Sequence, residues 1–222
     1  LARAEKQFQM APDGVPGTGK LAFFPKQVKL FADGAIISQL MQMKDPYLDR
    51  DGNPNPLHHG EWILTPEIFE ERTKLYWEAG FQIHIHVNGD LGLEVVLDTI
   101  EHRMSEHPRI DHRTVIVHFA NSTEAQIDRI EKLRCVVSSN PYYPVGFADK
   151  FGEVGLGPER ADRMARNRSV VERGIPLSFH SDLPMGRSDP IGMMSCAVNR
   201  VTQSGRVAAP EQRVSIEAAL RA

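Results

Sequence analysis

Five short apolar runs recur along the chain, with helical patterns between them. They are Gln27-Val-Lys-Leu-Phe-Ala32, Ile83-His-Ile-His-Val87, Thr114-Val-Ile-Val-His118, Cys135-Val-Val-Ser-Ser139 and Pro176-Leu-Ser-Phe-His-Ser181. Each is continuous and rich in Val, Ile, Leu or Phe, as expected of parallel strands covered on both faces. Thr65-Pro66-Glu67 predicts a helix start, an N-cap followed by proline at the first helical position, and Gly80 predicts its end. Apolar spacing predicts a second helix over Leu91 to Ser105 and a third from Ser122 to about Leu133. A fourth is expected from about Arg160 to Arg173, closed by Gly174, and a last one over Ser215 to Ala222. Alternating strands and helices imply βα units and a right-handed α/β fold. Met41 to Glu61 has no clear period and mixes Asp, Asn, Pro and Gly with the pair His58-His59. It predicts a long loop over the C-terminal rim of the sheet, where functional loops collect. Ala11 to Gly19 reads as a Gly/Pro-rich connector, and no internal repeat is visible.

Composition narrows the class. A chain of 222 residues can bury a full core, and 41% hydrophobic with 25% charged residues is a globular composition, not a disordered one. The net charge of −3 is spread along the chain with no basic, aromatic-laced patch, which argues against a nucleic-acid partner. No apolar stretch approaches the roughly 18 residues of a membrane span. Cys135 and Cys196 lack the spacing of a disulfide scaffold or a thiolate metal site. The expected partner is a small-molecule substrate; no membrane partner is expected, and a homo-oligomer is compatible with these features. The chain opens in mid-helix style at Leu1 and stops inside a helix, so it reads as part of a longer protein. The cytoplasm is the expected compartment, with secretion left open.

Candidate chemistry gathers at the ends of the runs. Within Phe81-Gln-Ile-His-Ile-His-Val-Asn-Gly-Asp90, residues two apart share a face, so His84 and His86 project together from an apolar strand. Buried imidazoles need partners, and a metal ion with supporting hydrogen bonds is an economical set. Lys29 lies in the first run and Asp33 follows it; His86 and His118 sit at the ends of the second and third. Asn140 follows the fourth and Asp182 the fifth. In a β/α barrel such positions converge on one site, and His with Asp suits Zn²⁺ or a similar ion. Bland readings stand beside these. Either histidine could be a core residue bonded to backbone, Lys29 a strand lysine snorkelling to water, and Asp182 a turn residue before Leu183-Pro184. His84 and His180 read as supporting or core residues, and His58-His59 as a solvated pair. Asn140-Pro-Tyr-Tyr-Pro144 reads as a pocket-lining segment. Tyr143, His180 and Arg160 are the candidate substrate contacts, with Arg160 facing a substrate anion or merely starting a helix. Gly89 and Gly92 do not make a phosphate loop.

Several segments together resemble the amidohydrolase superfamily, specifically its amidohydrolase-3 branch, which includes N-substituted formamide deformylases. They are Val-Lys-Leu-Phe-Ala-Asp-Gly (28–34), His-Val-Asn-Gly-Asp (86–90), Val-His-Phe-Ala (117–120), Ser-Asp-Leu-Pro (181–184), Asn199-Arg200 and the final helix. The resemblance runs in order over nearly the whole chain. It implies strands four to eight of a (β/α)8 TIM barrel, with residues 1–222 as the C-terminal portion of that domain. The N-terminal strands and a small β-sandwich domain would lie outside the chain. It further implies that Lys29 is carboxylated and bridges metals, that His86 and His118 are ligands, and that Asp182 is both ligand and general base. The implied cofactor is Zn²⁺, one ion or two, with Mn²⁺ or Fe²⁺ as substitutes. The implied reaction is hydrolysis of an amide-type, non-peptide C–N bond by hydroxide generated at the metal. Ester, lactone or phosphoester hydrolysis is the alternative, and a catalytically inactive barrel acting as a scaffold is another. The family also carries a His-x-His pair at the end of strand one. His84-x-His86 copies that spacing, but the following Asn-Gly-Asp marks strand five, so the pair is expected upstream of Leu1.

Overall fold

A computed structural model describes residues 26–222. The helical opening at Leu1 and the connector at Ala11 to Gly19 lie outside the described residues. All five apolar runs become strands: β1 (Gln27–Phe31), β2 (Gln82–Val87), β3 (Val115–His118), β4 (Val136–Ser139) and β5 (Leu177–Phe179). They pair in parallel and in sequence order, so each helical crossover returns the chain to the next position in one sheet.

Register shows which residues share a face. Lys29 lies opposite His84, Phe31 opposite His86, His86 opposite Val117 and Val117 opposite Ser138. With the period of two, these residues form the inner face. The alternate set, Leu30, Ile83, Ile85, Val87, Ile116 and Val137, is buried against the helical layer. That layer is led by α1 (Pro66–Glu78), α2 (Asp90–Glu106) and α3 (Glu124–Lys132), which contribute Phe69, Trp77, Leu93, Val96, Leu97, Ile100, Ile127 and Ile130. Each such side chain stabilises the fold by roughly 1.5–3 kcal/mol. The helix starts follow their local signals. Thr65 accepts from Ile68 N and Pro66 opens α1, while Thr123 and Gln126 close a capping box on α3.

Two parts depart from the expected pattern. The segment after β4 is helical, α4 (Tyr142–Glu153), begun where Asn140 Oδ1 accepts from Tyr142 N. The single helix expected over 160–173 is two, α5 (Pro158–Asp162) and α6 (Asn167–Glu172). Between them Ala165 takes φ of 51°. The cause is Arg200, fully buried after α7 (Pro190–Asn199). Its guanidinium donates to the carbonyls of Asp162, Met164 and Ala165, and to that of Ala208. A carbonyl turned onto that cation is withdrawn from the i→i+4 ladder a continuous helix needs. The final helix is α8 (Ile216–Arg221), within the expected span, and the Ser215 side chain just outside it accepts from Ala218 N as its cap.

The rim segment 41–61 has no helix or long strand, as its composition predicts, but it is firmly packed. Met41, Met43 and Tyr47 form a second core with Tyr143, Ala148, Phe151 and Met164. No helix among the described residues is long and apolar enough to cross a membrane. Among the described residues β1 and β5 are the sheet's edges, and large apolar residues are exposed at Phe31 on β1, Ile63 before α1, Ile68 on α1, Ile191 on α7, and Ile216 and Leu220 on α8.

Candidate active site at the strand ends

Strand alternation alone carries His84 and His86 to the inner face. His118 arrives differently. It lies opposite Val87, a residue of the outer face, so simple alternation would point it toward the helices. The backbone instead turns left-handed at His118 (φ 79°) and Phe119 (φ 53°), and the imidazole swings inward. It meets His86 edge-on at 4.5 Å between centroids and His180 at 4.9 Å. Asp182 also has positive φ, 53°. Non-glycine residues rarely adopt this region, and such strain persists where surrounding contacts hold it, as at active sites.

The contacts form a chain. Ser138 Oγ lies 3.0 Å from His180 Nδ1, and His180 Nε2 lies 3.0 Å from His118 Nδ1. Asp182 Oδ2 is 4.0 Å from the same His118 nitrogen. Lys29 stands one layer lower, beside His84, with its ammonium 5.6 Å above the Phe31 ring. A cavity of about 240 Å³ opens onto Lys29 and His84. A larger one of about 370 Å³ is lined by Lys44, Asp90, Glu94 and Arg129 and touches none of these histidines.

Burial governs the protonation states. It pushes His118 down to about 2, with His86, His180 and Lys29 adding to the effect, and His180 down to about 4. His84 and His86 are lowered for the same reason. Lys29 falls to about 8 through burial, against the pull of Asp182. The imidazoles are therefore neutral at physiological pH, and across the 3.0 Å contact one ring donates while the other accepts. This has a consequence for stability. The unfolded chain protonates these histidines below about pH 6.5 whereas the folded one resists. The histidines' contribution to stability is thus complete above that pH and expected to fall as pH drops through the window, offset in part by buried Asp33, whose raised pKa acts in the opposite sense. Urea midpoints measured from about pH 7.5 down to about pH 5 check it, and a flat profile would contradict a buried neutral pair.

The remaining candidates separate. Tyr143 is buried in the second core, where burial and the charges of Asp182 and Asp33 push its phenol well up, so it presents a neutral hydroxyl. Arg160, expected to face a substrate anion or merely to start a helix, is engaged by backbone carbonyls. Its guanidinium donates to the carbonyls of Asp45, Pro46, Leu156 and Gly155 and straps the rim loop down. His58 is stacked on Tyr47 at 4.5 Å, and His59 Nδ1 meets Met43 O at 3.0 Å. His84 Nε2 is buried with no partner among the described residues. Asn140 ties the strand ends together, its amide reaching Ser181 O and its backbone N–H reaching His118 O.

Sequence reasoning noted Asp33 only by position, yet the carboxylate is fully buried and accepts three backbone N–H groups, from Gln42, Asn88 and Gly89. Burial pushes it up to about 7 against those bonds. The available signal was the Asp-Gly pair just after β1. Gly89 is equally constrained, because a Cβ there would sit 1.9 Å from Gln42 O. Gly89→Ala is expected to cost about 3 kcal/mol, read as a lowered urea midpoint; a loss under about 1 kcal/mol would show that this contact yields easily.

The donor chemistry of His86, His118, Lys29 and Asp182 fits a borderline divalent ion: neutral imidazoles, an amine of lowered basicity and a carboxylate. Among the described residues, no group of three or more His, Cys, Asp or Glu side chains is gathered closely enough to hold a metal ion.

The family described as Amidohydrolase family matches residues 3–222. The putative amidohydrolase YtcJ of Bacillus subtilis is 26% identical over 78% of this chain and 31% of its own length. The N-substituted formamide deformylase of Arthrobacter pascens is 26% identical over 87% of the chain and 34% of its own. Protein LONG AFTER FAR-RED 3 of Arabidopsis thaliana is 27% identical over 87% and 32%. The chain thus spans about a third of the length of these curated relatives. A crystal structure of an uncharacterized metal-dependent hydrolase from Pyrococcus furiosus superposes with a TM-score of 0.74 at 25% identity, covering 99% of this chain and 42% of that one.

Proposed function

The chain belongs to the amidohydrolase family, and on that premise we propose that the whole protein hydrolyses an amide-type, non-peptide C–N bond. The observation that carries this reading is the row of neutral imidazoles, His86, His118 and His180, ending on Asp182 and drawn from the ends of three different strands. The similarity to a formamide deformylase supports the amide-type bond.

Lys29, His86, His118 and Asp182 are the residues that would hold the metal, Zn²⁺ first and Mn²⁺ or Fe²⁺ as substitutes. When bound, the ion supplies polarisation of the substrate carbonyl and a more acidic water. Asp182 takes the water's proton on a carboxylate oxygen and returns it to the departing nitrogen. His180, anchored on Ser138, holds the His118 ring beside that carboxylate. Lys29, with its amine at about 8, keeps an unprotonated fraction at neutral pH. Only that form adds carbon dioxide, losing one proton to become an anionic carbamate ligand. The open parallel order, with β1 and β5 as edge strands among the described residues, favours a barrel completed by three further βα units, whose first strand would bring the His-x-His pair.

Full-length protein, stripped with a chelator and reloaded with Zn²⁺ or Mn²⁺, tests the proposal against matched N-formyl amines, amides and esters. Metal-dependent turnover of the C–N substrates, at least tenfold above the stripped protein, is expected. Turnover confined to esters would replace the bond assignment, and no metal-dependent turnover of any substrate would favour a scaffold.

A further inference from the structure

Two short motifs far apart in sequence, Ala32-Asp33-Gly34 and Asn88-Gly89-Asp90, interlock around one buried carboxylate. Asp33 Oδ1 accepts from Asn88 N at 2.9 Å, and Oδ2 accepts from Gly89 N at 2.7 Å and Gln42 N at 2.9 Å. The Gln42 carbonyl then receives Leu91 N and Gly92 N, so the same joint seats the first turn of α2. Space is as tight as the bonding. A Cβ at Gly92 would meet Asp33 Oδ2 at 2.9 Å, and one at Gly89 would collide with the Gln42 backbone. His86 precedes the joint by two residues, with its Nε2 3.9 Å from Asp33 Oδ1 and 3.4 Å from Gly34 O. Two of the three hydrogen bonds that Asp33 accepts therefore fall on the backbone just after this imidazole, and the third ties in the rim loop.

We propose that Asp33 is a positioning residue of the active site, whose buried carboxylate locks the β2–α2 turn and the rim loop at Gln42 into the one arrangement that holds the His86 ring in place. The inference rests on the reading of His86 as part of a hydrolytic site. The two carboxylate oxygens accept three backbone N–H groups from two separate segments and so hold the joint together. An amide of the same shape offers one oxygen to three N–H groups and turns its own NH₂ against at least one of them. Geometry that loosens by an ångström at a catalytic group costs rate far more than binding.

The test is Asp33→Asn in the full-length, metal-loaded enzyme, assayed well below its melting temperature. A fall in kcat of at least thirtyfold with KM changed less than threefold is expected, together with a shift of the His86 side-chain nitrogen resonances in ¹⁵N-histidine-labelled, metal-free protein. A lowered melting temperature with kcat and the His86 resonances unmoved would reduce Asp33 to a structural role and overturn the proposal. Should the variant not fold, hydrogen exchange on the native protein decides. The amides of Gln42, Asn88 and Gly89 are expected to exchange slowly and as one unit; any of them exchanging like an open loop overturns it. The resonance and exchange readouts need no turnover, so a protein without hydrolase activity would refute the proposed reaction while still testing the joint.

Discussion

In the full-length protein, Asp182→Asn is expected to lower kcat by about a thousandfold or more and to leave the melting temperature nearly unchanged. General acid–base groups contribute about 10² to 10⁴ in rate, and Asp182 is assigned both the proton taken from water and the one returned to nitrogen. The stability side follows from its surroundings. Its side chain is half exposed, and the His118 nitrogen 4.0 Å away is neutral and forms no ion pair with it, so the carboxylate anchors little. Asn also tolerates the left-handed backbone at this position, φ 53°, better than most residues. Steady-state kinetics paired with thermal melting by circular dichroism check the two halves separately. A near-normal kcat would remove Asp182 from the mechanism, and a loss of fold would move it to the scaffold.

The largest stability effect is expected at Arg200, far from the proposed chemistry. Arg200→Met should cost about 3–5 kcal/mol, the range for stripping one partner from a buried charged network. Burial lowers the guanidinium to about 10, so it remains a cation at neutral pH and donates to four carbonyls. Methionine fills much of the volume but leaves those carbonyls without a donor in a dry environment. Arg200→Lys keeps the charge with a single nitrogen in place of the planar fork, and an intermediate loss is expected. Urea denaturation measures both; a loss below about 1 kcal/mol for Arg200→Met would mean that the 163–166 break does not depend on this residue.

Much of the scaffold was legible because its determinants are local. Continuous Val, Ile and Leu runs marked all five strands, and Thr65, Thr123 and Ser215 announced their helices, since caps and side-chain alternation depend on residues a few positions apart. The placing of His86 on the inner face, one layer above His84, followed from alternation and holds in the register. Asp33 shows where such reading thins out. An Asp-Gly pair after a strand looks like any turn, and only the approach of residues 42, 88 and 89 makes it the centre of a joint.

By itself, then, the sequence determined the order of strands and helices, the face each strand buries, and the family to which the chain belongs. The tertiary structure decided the rest. It turned His118 inward against its own alternation, spent Arg160 on the rim loop, and broke one helix into two around Arg200. Each of these depends on hydrogen-bond partners or packed neighbours tens of residues away. A periodic pattern records which side of an element is apolar; it carries no record of which distant carbonyl a buried cation will claim, or of the contacts that hold a strained backbone in place.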